Sequence, residues 1–73
     1  MDNYKIEGKQ YNKGGEIRKC RIIDSDGFTW WFGTDHDRGL YLVLSPDEDV
    51  DENGYWVDNL DQALQILRDG GYI

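Results

Sequence analysis

The chain has 73 residues, of which 38% are hydrophobic and ten are aromatic, and its formal net charge is −7. This length allows one domain with one small core, and the composition excludes a disordered chain. No apolar run approaches the roughly 20 residues that span a bilayer, and residues 1–5 do not resemble the start of a signal peptide. Cys20 is the only cysteine, so no intramolecular disulfide can form. We therefore expect a single cytoplasmic domain over residues 1–73 that makes no membrane contact.

The charges are unevenly distributed along the chain. Residues 1–23 carry six basic and three acidic side chains, whereas residues 24–73 carry two basic and twelve acidic ones. The acidic bulk repels nucleic-acid phosphate and anionic membranes at long range and attracts cationic partners. Acidic charge also keeps small proteins in solution without any further role.

Two strands and a tight turn are predicted at the start of the chain. Residues 3–11 alternate loosely, with Tyr4 and Ile6 on one face and lysines on the other, which is typical of an edge strand. Residues 12–15 predict a turn because paired glycines tolerate the positive φ of tight hairpins. Residues 16–24 then form the second strand.

The clearest strand signal is the aromatic run of residues 28–32, which follows Asp26 and Gly27. A two-residue turn would set Arg21 opposite Phe32 and mix charge into the apolar face. A three-residue loop with Gly27 in the left-handed conformation instead pairs residues whose numbers sum to 52. This register predicts two faces, the first with Cys20, Ile22, Phe28, Trp30 and Phe32, and the second with Lys19, Arg21, Ile23, Thr29 and Trp31.

The second half of the chain predicts two more strands and a helix. Residues 33–39 form a polar loop, residues 40–44 an apolar strand, residues 47–54 an acidic loop and residues 55–57 a short strand. From Asn59 the spacing becomes helical, and Asn59 with Gln62 three residues later matches a capping box, so we predict a helix over residues 59–69. The expected fold is an α+β domain, a four- to five-stranded antiparallel meander whose even-numbered face packs on the C-terminal helix. A sheet curled into an SH3-like barrel is an alternative.

No residue set predicts an active site or a cofactor. His36 is the only histidine, and no serine or cysteine lies near it in the sequence to serve as a nucleophile. Cys20 points into the predicted core, where cysteine behaves as a small hydrophobic residue, and one cysteine with one histidine is a poor zinc set. We therefore expect a protein that is not an enzyme and that holds no metal or cofactor.

The acidic loop partly matches a calcium-binding loop. Asp49, Asp51 and Asn53 followed by Gly54 have the spacing of the first half of an EF-hand loop. The twelfth position is Leu60, where a bidentate glutamate is required, and a strand rather than a helix precedes the loop. We interpret the segment as an acidic loop exposed to water.

Two surfaces are candidate partner-binding sites. The first is the acidic loop, with Asp47, Glu48, Asp49, Asp51 and Glu52. The second is the sheet face away from the helix, where Arg21 and Trp31 are predicted to be cross-strand neighbours beside Lys19. Trp and Arg are the residues most enriched at binding hot spots, although the pair would also be stable as a plain surface cation–π contact.

These surfaces give three hypotheses for function. The main one is a small protein-binding module that docks its acidic surface on a basic partner protein, for example as an inhibitor that is a DNA mimic. An alternative is binding of single-stranded nucleic acid or peptide through Trp31 and Arg21, although the net charge disfavours nucleic acid. Another is a structural homodimer or a small subunit of a larger assembly. Neither the aromatic strand nor the acidic loop matches the signature of a known family.

Overall fold

The computed structural model describes residues 3–45, 47 and 49–73. Its elements are β1 (Lys5–Tyr11), β2 (Ile17–Ile23), β3 (Thr29–Asp35), β4 (Gly39–Val43), α1 (Val50–Asn53), β5 (Gly54–Val57) and α2 (Leu60–Asp69). The strands pair antiparallel in the order β1-β2-β3-β4-β5. Over the described residues the sheet is open and does not close into a barrel, with β1 and β5 at its edges. The predicted meander with a C-terminal helix is confirmed, with five strands, and the SH3-like alternative is not observed.

The hairpin between β2 and β3 has the predicted register, in which Ile22 pairs with Trp30. Gly27 has φ +87°, in the left-handed region, and its N–H donates to the carbonyl oxygen of Asp24 over 3.1 Å. The left-handed conformation is available to glycine at no steric cost. The three-residue loop 25–27 therefore determines which side chains of β2 and β3 face the helix.

The core lies between one face of the sheet and α2. We call the sheet face that α2 covers the inner face, and the opposite one the outer face. The buried members of the core are Cys20, Ile22, Trp30, Phe32, Leu42, Val57, Ala63 and Leu67. The first five are even-numbered residues of β2, β3 and β4, because successive side chains of a strand point to opposite faces.

A carboxylate is built into one end of this core. Asp24 is only 5% exposed, and its Oδ1 accepts hydrogen bonds from the backbone N–H groups of Asp26 and Phe28, each over 2.9 Å. Its Oδ2 accepts a third from Nε1 of Trp30, also over 2.9 Å. The hairpin turn and the core tryptophan are thus held by the same side chain.

The helix α2 begins where its sequence predicts. Oδ1 of Asn59 accepts from the backbone N–H of Gln62 over 2.8 Å, as in a capping box. The reciprocal bond differs from the expected one, since Oε1 of Gln62 accepts from the N–H of Asp58 rather than from that of Asn59. After the helix, the ring of Tyr72 lies 5.0 Å from that of Trp30, so the end of the described chain packs on the core.

One core prediction is wrong. Phe28 was expected to pack with Trp30 and Phe32 under the helix, but it is 60% exposed, whereas Trp30 and Phe32 are 5% and 1% exposed. Phe28 precedes β3 and lies at the end of the hairpin. There the ring of Tyr72, which follows α2, packs on the neighbouring Trp30. The expected alternation holds for Trp30 and Phe32, but Phe28 lies outside the core.

Two segments expected to be loops are partly ordered elements. β3 continues to Asp35 and pairs Gly33 with Tyr41, so the loop before β4 is limited to residues 36–38. The acidic segment contains α1, which packs against β4 and β5. Because α1 is only four residues long, no helical periodicity was visible in the sequence.

Candidate functional site

The outer face carries aromatic and charged side chains in rows across the strands. Directly paired residues of an antiparallel sheet project to the same side, so the pairings define these rows. One row consists of Glu7, Arg21, Trp31, Val43 and Gly54. The next consists of Gly33, Tyr41 and Trp56.

Arg21 and Trp31 form the predicted pair. The guanidinium carbon of Arg21 lies 5.9 Å from the centroid of the Trp31 ring, within the range of a cation–π contact. Trp31 is half-buried, and Lys19 is exposed two residues from Arg21 on the same face. The structure thus brings together the three residues that were predicted for the sheet face.

A glycine in β1 makes room for the arginine. Gly8 has φ +65°, and a Cβ atom at this position would lie 2.6 Å from Nη1 of Arg21. The strand pairing is also irregular after Glu7, which is typical of a β-bulge. Arg21 can therefore lie flat across the edge strand rather than project into water.

A second arginine–tryptophan cluster on this face was not predicted. The guanidinium carbon of Arg38 lies 4.4 Å from the centroid of the Trp56 ring. Its Nη1 and Nη2 donate to Oδ2 and Oδ1 of Asp51 over 2.6 and 2.8 Å, and Nε1 of Trp56 donates to Oδ1 over 2.9 Å. These three donors hold the pKa of the Asp51 carboxyl below its usual range, and the hydrogen bond to Asp51 raises the pKa of Arg38.

Tyr41 lies beside this cluster. Its ring is edge-on to that of Trp56, with centroids 6.4 Å apart. A Cβ atom on Gly33 would lie 2.6 Å from the Tyr41 hydroxyl oxygen, so the glycine allows the tyrosine to lie across β3. The apolar run of residues 40–44 does not alternate clearly, so the sequence did not predict that Tyr41 and Trp56 lie on the outer face.

The acidic loop is only partly available as a surface. Asp49 is the N-cap of α1, and its Oδ1 accepts from the N–H of Asp51 over 2.9 Å. The four described carboxylates are exposed, and Asp51 is also bound to Arg38 and Trp56. Glu48 lies outside the described residues. Two of the five predicted carboxylates therefore serve the local structure.

The remaining reactive side chains have structural surroundings. Cys20 is 2% exposed, and burial raises the pKa of its thiol to about 11, although Lys9 and Arg21 oppose this shift. His36 is exposed in the loop between β3 and β4. Next to it, Oδ1 of Asp35 accepts from the N–H groups of Asp37 and Arg38. Across residues 3–45, 47 and 49–73, no three acidic, histidine or cysteine side chains are grouped as metal ligands.

Comparison with family models, with curated proteins and with solved structures gives no match. In the part of the chain that the structure describes, neither helix has the length and apolar character needed to cross a membrane. Function must therefore be inferred from the surface geometry, in which the most distinctive feature is the outer face with its two arginine–tryptophan pairs.

Proposed function

We propose that this protein is a non-enzymatic protein-binding module whose binding surface is the outer face. The observation that supports this most directly is the alignment of Trp31, Tyr41 and Trp56 with two arginines on a face that α2 leaves uncovered. Tryptophan, tyrosine and arginine are the residues most enriched among those that dominate binding energy. Three such aromatics on one face of a domain this small exceed what packing of the core requires.

The side chains of the outer face are already restrained before a partner arrives. Arg21 is held between Gly8 and Trp31, and Arg38 is fixed by two hydrogen bonds to Asp51. Association normally costs the rotamer entropy of interface side chains, at about 0.5–1.5 kcal/mol for each long one. Restraint in the unbound protein reduces that cost, which favours a binding role over a merely solvated face.

Electrostatics favour a protein partner over a nucleic acid. The cations of the outer face are accompanied by Glu7 and Asp51, and the whole chain carries a net charge of −7. Nucleic-acid binding depends on cations that neutralise several phosphates, and an acidic protein body opposes it. A polypeptide surface can match both signs of charge together with the aromatic rings.

The test is capture of partners from the source cells with matched variants. Arg21→Ala and Lys19→Glu are expected to reduce recovery of a partner protein at least about tenfold, since truncation of a hot-spot residue costs more than about 1–2 kcal/mol. Tyr55→Ala, which removes an exposed ring from the opposite sheet face, should recover the partner normally. Equal recovery by all three variants would refute the proposal. Recovery of nucleic acid in place of protein would replace it with the alternative of single-strand binding.

A second candidate is an inhibitor that docks its acidic surface on a basic partner. It is supported by the charge of residues 24–73 and by the exposure of Asp47 and Glu52 beside α1. The sharpest variant is Asp47→Lys with Glu52→Lys, which reverses exposed charges but leaves the cap and the bond to Arg38 intact. Loss of a basic partner with this pair, but not with Arg21→Ala, would identify the acidic surface as the site. Normal binding by the pair would exclude it.

A further inference from the structure

We propose that the partner that fits the outer face is a second copy of this chain, bound face to face about a two-fold axis that runs along β3. This inference rests on the proposed function, because it names the occupant of the same surface. It is supported by the charge, the relief and the size of the outer face.

The outer face is divided by charge about its central strand. On the side of β1 and β2 lie three cations, accompanied by Glu7; they are Lys5, Lys19 and Arg21. On the other side, the connection from β4 to β5 carries carboxylates accompanied by Arg38, and its described members are Asp47, Asp49, Asp51 and Glu52. Trp31 on β3 lies between the two sides, one strand from Arg21 and two strands from Gly54.

The relief of the face follows the same division. On the acidic side α1 forms a ridge, since Val43 of β4 is only 1% exposed and a Cβ atom on Gly54 would lie 3.2 Å from Cα of Val50. Beside β1 and β2 there is a shallow cleft of about 580 Å³, whose lining holds Lys5 together with the carboxylates of Glu7 and Asp24. The face is therefore raised by α1 on its acidic side.

A two-fold axis turns this asymmetry into complementarity. With the axis along β3, in the plane between the two sheets, β5 of each copy lies over β1 of the other. Each acidic ridge then meets the basic side of the other copy, and the two Trp31 side chains meet near the axis. A uniformly basic or uniformly acidic partner would complement the charge of only one side of the face. A second copy complements both sides, because the acidic side of each copy faces the basic side of the other.

The size of the face predicts a weak dimer. Five strands spaced about 4.8 Å apart, at about 3.3 Å per residue, give a footprint of roughly 20 by 20 Å on each copy. Two such footprints total roughly 800 Å², which belongs to the class of weak and transient interfaces. We expect self-association at high micromolar concentration, measured near 0.15 M salt, where charges more than about 8 Å apart are screened.

The test is a charge swap followed by sedimentation equilibrium. One variant, Lys5→Glu with Lys19→Glu, makes both sides of the face acidic, and the other, Asp47→Lys with Glu52→Lys, cancels the net negative charge of the acidic side. Each alone should self-associate at least about tenfold more weakly than the unaltered chain, because like charges face each other in the first variant and the attraction between the two sides is lost in the second. An equimolar mixture of the two should form a heterodimer more tightly than either variant forms its homodimer, because the acidic side of the first variant then faces the basic side of the second.

The control reverses two carboxylates on the opposite side of the molecule, Asp61→Lys with Asp69→Lys on α2, and should dimerise like the unaltered chain. Circular dichroism of every variant establishes that it is folded. The homodimer is refuted if the unaltered chain is monomeric at high micromolar concentration. It is also refuted if the mixture stays monomeric while both variants are folded. If capture of another protein still depends on Arg21 in that case, the binding role of the outer face stands and only the identity of its partner is wrong.

Discussion

The two faces of the sheet have different surroundings, and the adjacent residues Trp30 and Trp31 of β3 show the difference. Trp30 points inward, is 5% exposed and donates its indole N–H to the buried carboxylate of Asp24. Trp31 points outward, is half-buried and has the guanidinium of Arg21 near its ring. Aromatic residues are favoured in strands, so both tryptophans suit their positions in β3. The difference arises from α2, which covers one face and leaves the other to water, α1 and any partner.

Removal of a core ring should have the largest effect. Phe32 is 1% exposed between the sheet and α2, so Phe32→Ala should lower the free energy of unfolding by about 3–5 kcal/mol. A domain of this length has a total stability of only about 4–11 kcal/mol. Urea denaturation followed by circular dichroism measures the change. Trp31→Ala on the outer face should cost clearly less, and equal costs for the two would mean that the faces are not distinct.

Loss of the buried carboxylate should come next. Asp24→Ala leaves the Trp30 indole N–H and two backbone N–H groups without their acceptor, which should cost about 2–3 kcal/mol. Denaturant melts should show this loss together with altered tryptophan fluorescence, since Trp30 is the affected ring. Asp26→Ala, an exposed change in the same turn, is the control and should stay within about 0.5 kcal/mol of the unaltered chain.

A smaller effect is expected at the turn that assigns side chains to the two faces. Gly27 has φ +87°, and a Cβ atom there would meet nothing within 4 Å, so Gly27→Ala adds only backbone strain. The cost of a left-handed alanine is about 1–2 kcal/mol. Thermal melts compare it with Gly14→Ala, where φ is not positive and the change should be nearly neutral. Equal melting temperatures for the two variants would show that the turn does not constrain the register.

These features of the fold were predictable because local chemistry determines them. The register follows from one left-handed glycine and from the need to keep Arg21 out of the apolar face, and both are visible in sequence. The helix follows from its apolar spacing and its Asn59 cap. The exposure of Phe28 was not predictable, because it depends on which side chains pack at that end of the hairpin, which is a property of the packed fold.

The candidate site was half predictable for a similar reason. Arg21 and Trp31 are brought together by strand register, which sequence can specify. The second cluster needs residues from three separate segments, a loop, α1 and β5, to meet through Arg38, Asp51 and Trp56. Nothing in their spacing indicates this meeting. The carboxylates that were interpreted as a docking loop therefore turned out to include a helix cap and a bound partner of Arg38.

Because Phe28 lies outside the core, its replacement should leave the stability of the protein almost unchanged. Phe28→Ala removes a ring that is 60% exposed, and its backbone bonds to Asp24 remain available. The change in stability should stay within about 0.5 kcal/mol, as for most surface substitutions. Urea denaturation beside Phe32→Ala measures the contrast between two phenylalanines four residues apart. A loss comparable with that of Phe32→Ala would place Phe28 back in the core.

A comparably small effect on stability is expected in the Arg38–Asp51–Trp56 cluster, which both water and salt can reach. The pKa of Asp51 is lowered in the folded protein, chiefly by the hydrogen bond from Arg38 and next by that from Trp56. Its contribution to stability is therefore present above the pKa of an unfolded aspartate, near 3.9, and is lost as the pH falls through the folded value. Carbon-detected NMR titration should find Asp51 titrating below that value and Arg38→Gln returning it toward the ordinary range. The Trp56 indole N–H resonance should move with the same transition, because Asp51 is its acceptor. An unchanged Asp51 titration in Arg38→Gln would mean that the guanidinium does not hold the carboxylate in solution, and that α1 is positioned by the Asp49 cap and by packing on β4 and β5 alone.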